Sequence, residues 1–381
     1  MQRKVVVQRL ALVSASILVS LVVLDLVYRW IVEPEDVVPR NLGRYDSTLG
    51  WALKPNASGT SGATGSDVTY RINSKGLRDR ETTYDKPAGT LRLVLLGDSR
   101  TFGYGVQIEQ HFSTLLEGYF KNVEVINLGV SGYGVDQELL AFRTEGVKYH
   151  PDIVIGYVAH FGGQRHMYAD RWGKPKPQFV LRDGVLTLTN VPVPSVTAGM
   201  DFPDRVDLSM KQLSPLYRDL SKAGVRLLKR IWGRATTETP TAQTSADAAA
   251  FVDRMYALAE AILKETDTEV KAAGGRFVLV TEIPRLHRDC LKLGMTSFDV
   301  STPLANKRFA LPNKLGHINE AGNGVLAWEI AQFFLRSGLI PPRIGPTACE
   351  QNRRLEEGLE VRAQAERKRS AGKHSHVWGE L

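Results

Sequence analysis

The sequence predicts an α/β fold, a three-layer α/β/α domain built on a parallel sheet and preceded by one N-terminal transmembrane helix. Three observations carry this. Four short apolar strand candidates recur with helical stretches between them, and glycine-rich turns close two of those strands. An apolar run also stands near the N-terminus between charges of opposite sign. Short apolar strands alternating with helices make a parallel sheet covered on both faces. With 381 residues, 43% hydrophobic and 24% charged, the chain holds one large α/β domain with additions, or two modest domains.

The first element is the anchor. From Leu10 to Val27 the chain is apolar except for Ser14, Ser16, Ser20 and Asp25. Extended through Tyr28, Trp30, Ile31 and Val32, it approaches the ~20 residues that cross a bilayer. Arg3, Lys4 and Arg9 precede it and Glu33, Glu35 and Asp36 follow, which orients the N-terminus to the cytoplasm and the rest outward. A cleaved signal peptide would end in a small-x-small site before polar sequence. Here Ser14 and Ser16 lie inside the run, and it ends in Asp-Leu-Val-Tyr-Arg-Trp, so an uncleaved anchor covering residues 1–32 is favoured. Asp25 sits near the outer edge, where its charge can reach the interface, and is assigned no function.

Residues 33–90 form a lead segment rich in turns, with one strand at Val68–Ile72 and a turn at Asn73-Ser74-Lys75-Gly76. The four sheet strands follow at Leu91–Leu96, Val123–Leu128, Ile153–Val158 and Arg276–Ile283. An insertion at about 165–246 separates the third from the fourth. Apolar spacing of Phe251, Met255, Leu258 and Ile262 predicts a helix over Asp247–Ala273, capped by Ser245 and ended by Gly274-Gly275. The core domain spans 91–340. Residues 341–381 form a charged tail, and from 350 onward a helix fragment or disorder is expected.

The formal net charge of +8 gathers largely at the two ends, without any nucleic-acid motif. No nucleic-acid partner is expected. Cys290 and Cys349 fit an oxidising compartment as one disulfide, or stand as two unrelated buried thiols. Neither has the neighbours of a metal site or a redox pair.

Chemistry concentrates in three places. Leu93-Val94-Leu95-Leu96-Gly97-Asp98-Ser99 ends a strand at a sharp turn that exposes a serine hydroxyl. This is not the G-x-S-x-G elbow, because Thr101 occupies the second glycine position. The second strand runs into Asn127-Leu128-Gly129-Val130-Ser131-Gly132-Tyr133-Gly134, which in a doubly wound sheet falls beside the first turn and can aim backbone N–H groups at the serine. A dinucleotide reading fails because Gln137 stands at the third glycine position. Late in the chain, Gly316-His317-Ile318-Asn319-Glu320-Ala321-Gly322 precedes a helix over Gly324–Phe334.

These three blocks resemble those of the SGNH/GDSL hydrolases, over roughly residues 40–340. The resemblance implies the SGNH, flavodoxin-like arrangement of the sheet. It also implies a serine esterase in which Ser99 is the nucleophile, His317 the base, and the Ser99 and Gly132 amides oxyanion donors. The family's usual aspartate two or three residues before the histidine is replaced by Leu315 and Lys314, with Asn313 before them. The asparagine expected after the third strand is absent from Ala159-His160-Phe161-Gly162-Gly163-Gln164, where His160 or Gln164 offers a side-chain donor in its place and His160 is favoured. Softer features, Leu49-Gly50-Trp51, Asn73–Arg78 and Gly173–Pro177, resemble the membrane-anchored bacterial branch. That branch implies O-acyl esters on envelope or exported polysaccharide, in the periplasm. With a sugar hydroxyl in place of water, the same machinery is an O-acyltransferase; without catalysis, it binds glycan. No metal or organic cofactor is called for. The expected partners are an acylated small-molecule or glycan substrate and, through the N-terminal helix, the membrane.

Overall fold

A computed structural model describes residues 2–31, 39–62, 67–159, 164–195, 210, 214, 216–217, 220–221, 242–311 and 316–340. The chain divides into two compact units, residues 1–37 with 195–252 and residues 38–194 with 253–381.

In the first unit, α1 runs Gln2–Ile31. Leu12, Val13, Ile17, Val19 and Leu21–Leu24 along it are each more than half exposed. Counted on the described residues alone, no helix is long and apolar enough to cross a membrane; the side chains of Leu10, Ala11 and Leu18 in the predicted run lie outside them. Asp25 accepts hydrogen bonds from the Ser214 hydroxyl at 2.7 Å and the Leu216 amide at 3.3 Å.

The second unit opens with two antiparallel hairpins in the lead segment. One joins β1 (Gly43–Asp46) to β2 (Gly50–Leu53), the other β3 (Ser58–Ser61) to β4 (Val68–Arg71). They bury Leu42, Leu53, Val68, Tyr70 and Ile72 against Phe102, Val130 and Tyr133, so the lead segment packs directly on the turns that carry the chemistry. The Asn73 turn forms as predicted, its side-chain oxygen accepting from the Lys75 and Leu77 amides.

The sheet has five parallel strands: β5 (Leu91–Gly97), β6 (Val123–Asn127), β7 (Ile153–Val158), β12 (Arg276–Thr281) and β13 (Thr296–Asp299), in the order β13-β12-β7-β5-β6. Between β7 and β12 the chain forms two antiparallel hairpins, β8 (Asp170–Arg171) with β9 (Lys174–Pro175) and β10 (Gln178–Arg182) with β11 (Val185–Thr189). Counting only these strands, the order is 2-1-3-4-5, the flavodoxin-like winding. Its crevice opens between β5 and β7, beyond their carboxyl ends. Four strands sit where the sequence places them; β13 was not foreseen. On one face Val94, Leu96, Val154 and Leu279 pack against Leu139 and Leu140 and against Leu258 and Ile262. On the other, Leu93, Leu95, Ile155 and Val280 meet Phe112, Leu116, Leu326, Ile330 and Phe334. Alternate residues of β5 therefore enter opposite layers, which gives the three-layer arrangement.

Two element boundaries differ from the sequence reading. The long helix begins at Ala242 rather than Asp247 and continues to Ala272, so Ser245 lies inside it and is not its cap. The final helix covers Glu320–Arg336, starting earlier because the Asn319 side chain caps it by accepting from the Gly322 amide at 3.0 Å. Cys290 is fully buried, and burial pushes its thiol up to about 12. Cys349 and the tail from 350 lie outside the described residues.

Candidate active site

The site is assembled where β5 stops. Ser99 opens a single helical turn, α2 (Ser99–Phe102). Asp98 caps that turn by accepting from the Arg100 amide at 2.9 Å, and its second oxygen pairs with Arg165 at 2.6 Å. Arg165 also donates to the Tyr133 carbonyl at 2.8 Å, so Asp98 fixes the serine turn and ties it to the loop after β6.

His317 reaches the same point from 218 residues downstream. Its Nε2 lies 2.8 Å from Ser99 Oγ. Both residues are buried, Ser99 7% and His317 9% exposed, so the pair works largely out of bulk solvent. The histidine's backbone is pinned by the Leu311 amide, which donates to the His317 carbonyl at 2.8 Å. Its ring stacks on Tyr104, centroids 3.9 Å apart and planes 18° from parallel. Tyr104 itself follows the serine turn, its amide donating to the Ser99 carbonyl at 2.9 Å. One segment thus carries both Ser99 and a plate that sets the plane of the His317 ring.

Gly132 stands on the adjacent loop. The Val130 amide donates to the Gly97 carbonyl at 3.2 Å, and a Cβ at Gly129 would strike the backbone of Thr101 and Phe102. The loop therefore runs in van der Waals contact with the serine turn, a closeness only glycine permits. Gly132 itself turns with φ +87° before α4 (Val135–Thr144) begins. A turn of this kind can present backbone amides to an anion, as an oxyanion hole requires.

An ion cluster behind the pair joins the three strand ends. Arg100, one residue after Ser99, donates to the Gly316 carbonyl, one residue before His317. It also pairs with Glu282, just past β12, and donates at 3.1 Å to the hydroxyl of Tyr157 on β7, which in turn donates to Glu282. Burial works against the Arg100 charge, but Tyr157 and Glu282 outweigh it and hold the guanidinium above its ordinary range. Burial raises the Glu282 carboxyl against the opposing pull of Arg100 and the Tyr157 hydroxyl. Sequence reading missed Arg100, Glu282 and Tyr104; the local signal was an arginine inside the serine block and an acid at the carboxyl end of the fourth strand.

The structure brings together Ser99 and His317 and sets the Gly132 loop beside them. His160 lies outside the described residues, as do Asn313, Lys314 and Leu315.

Solved G-D-S-L lipolytic proteins match this chain. One, a putative lipolytic protein of the G-D-S-L family from Desulfitobacterium hafniense, matches with 11% identity and a TM-score of 0.33, over 64% of this chain and 99% of its own. The lipase/acylhydrolase from Enterococcus faecalis matches with 13% identity and a TM-score of 0.34, over 64% and 95%. The psychrotrophic esterase EstA from Pseudoalteromonas gives 13% identity and a TM-score of 0.35, over 65% and 99%. No protein-family model and no curated protein matches the sequence. At such low identities and TM-scores, function rests on the pairing of Ser99 with His317 and not on these neighbours.

Proposed function

We propose that this protein is a membrane-anchored, extracytoplasmic serine esterase that cleaves O-acyl esters through an acyl-enzyme. The observation that carries the esterase reading is the 2.8 Å approach of His317 Nε2 to Ser99 Oγ at a buried strand-end turn. A serine hydroxyl becomes a nucleophile when a positioned base can take its proton as it attacks.

An ester carbonyl enters beside Ser99, and Oγ bonds to its carbon as the proton passes to His317 Nε2. Negative charge grows on the carbonyl oxygen, where the Ser99 and Gly132 amides stabilise it. The imidazolium returns the proton to the leaving alkoxide, the C–O bond breaks, and the acyl group stays on Ser99. Water then attacks with His317 again as base, releasing the acid and restoring the serine. Tyr104 stacking and the Arg100 hold on Gly316 keep the imidazole in place through both halves.

The test is turnover of n-butyl acetate by the full chain in detergent. Ser99→Ala and His317→Ala are expected to lower kcat/KM by about a thousandfold or more. Turnover unchanged in either variant would reject the esterase.

The anchor rests on α1. At about 1.5 Å per residue a thirty-residue helix is about 45 Å long, enough for the apolar core and its interfaces. Basic Arg3, Lys4 and Arg9 at its start favour a cytoplasmic N-terminus. Retention in membranes after alkaline carbonate washing supports the anchor; release into the wash counts against it.

A further inference from the structure

Trp172 is a large apolar side chain left exposed on a turn of the second unit. It occupies the tip of the hairpin between β8 (Asp170–Arg171) and β9 (Lys174–Pro175), remains 63% exposed, and has φ +54°. Left-handed backbone is the province of glycine and asparagine in such a turn and strains a tryptophan. The hairpin is nevertheless firmly seated. Lys176, next along the chain, is fully buried in an ion pair with Asp136 of α4 and donates to the Pro177 carbonyl at 2.8 Å.

What the strained turn achieves is placement. The edge of the Trp172 six-membered ring lies on Gly132: a Cβ there would collide with it. Trp51 supports the indole from beside, ring centroids 6.4 Å apart, and is itself fixed by donating from Nε1 to the Ser131 carbonyl at 3.1 Å. The Arg171 guanidinium lies over one face of the Trp172 ring, 4.6 Å from its centre, which leaves the opposite face for a ligand. An exposed indole is therefore held against the glycine expected to stabilise the oxyanion.

We infer that Trp172, backed by Trp51, is the platform on which the sugar ring of an O-acylated carbohydrate stacks while its ester carbonyl reaches Ser99; this rests on the esterase reading. The electron-rich face of an indole attracts the C–H face of a pyranose, whose hydroxyls stay in water. A long acyl chain would call for an enclosed apolar channel. Here the indole is open to solvent and neighboured by Arg171 and Lys174, which suits a polar ring and not a lipid tail.

The test compares 6-O-acetylglucose with n-butyl acetate, the same acyl group with and without a sugar ring. In the full chain, Trp172→Ala is expected to lower the ratio of kcat/KM for the sugar ester to that for butyl acetate by about tenfold, the scale of one good aromatic contact. Trp172→Phe should recover part of the ratio. An unchanged ratio would overturn the platform. Calorimetric titration of 6-O-acetylglucose into Ser99→Ala and Ser99→Ala/Trp172→Ala separates this from catalysis. Binding weakened by loss of Trp172 supports the platform even if wild type turns over neither ester, whereas equal binding to both proteins overturns it.

Discussion

Arg100 donates to the carbonyl of Gly316, so the residue after Ser99 holds the residue before His317. The contact spans 216 positions of sequence and sits behind the 2.8 Å Ser99–His317 pair. Glu282 and Tyr157 fix the guanidinium from the far side, so strand ends from β5, β7 and β12 converge on one charge. Misplacing a base by an ångström is enough to cost about a hundredfold in rate. Arg100→Ala is therefore expected to lower kcat on butyl acetate by about that factor, with a smaller change in KM. The check is steady-state kinetics alongside thermal unfolding. A kcat within twofold of wild type in a folded variant would remove Arg100 from the positioning role.

A second prediction concerns Gly132. Its φ of +87° strains any L side chain, and a Cβ would run into Trp172. Gly132→Ala should lower kcat by about tenfold to a hundredfold through a displaced oxyanion donor. Adding Trp172→Ala removes the collision but not the backbone strain, so kcat on butyl acetate should recover only in part. Full recovery would mean the collision alone was responsible and that the turn's geometry is unimportant.

The buried Lys176–Asp136 pair makes a stability prediction. Lys176→Ala leaves Asp136 charged and uncompensated in the interior, at a cost of about 3–5 kcal/mol. Lys176→Met combined with Asp136→Leu removes both charges and should regain much of that loss. Urea unfolding of the three proteins checks the order; a double variant no more stable than Lys176→Ala would contradict it.

Asp79 predicts a pH dependence. Burial pushes its carboxyl from 3.8 up to about 7, against the pull of the Asn127 amide and of Arg80. The folded chain therefore holds this proton more tightly than the unfolded chain does. Its contribution to stability is complete below about pH 4 and is lost as pH rises through about 7, amounting to about 4 kcal/mol at most. Asp79→Asn should flatten the difference in unfolding free energy between pH 5 and pH 8. An identical pH dependence in variant and wild type would show that Asp79 does not titrate in this way.

The Ser99–His317 pair was legible because its information is local. The Gly97-Asp98-Ser99 turn follows an apolar strand, and Asn319, which caps the last helix, marks the loop that carries His317. The four foreseen strands are continuous apolar runs, as buried parallel strands must be. β13 escaped notice because Thr-Ser-Phe-Asp at a sheet edge has neither an apolar run nor a clear alternation. Ser245 misled as a cap because serine, common at helix starts, also sits within helices when another residue begins them. The links from Arg100 to Gly316 and Glu282, and from Trp172 to Gly132, join residues far apart in sequence, and no local pattern encodes such meetings.

The central claim is that Ser99 is an activated nucleophile with His317 as its base. Its most direct test is to treat the full chain in detergent with a fluorophosphonate and locate the adduct by peptide mass spectrometry. The account predicts one adduct, on Ser99, absent in Ser99→Ala and slowed by at least about a hundredfold in His317→Ala. Labelling of Ser99 at the same rate without His317, or no labelling of folded protein that binds the reagent reversibly, would contradict it.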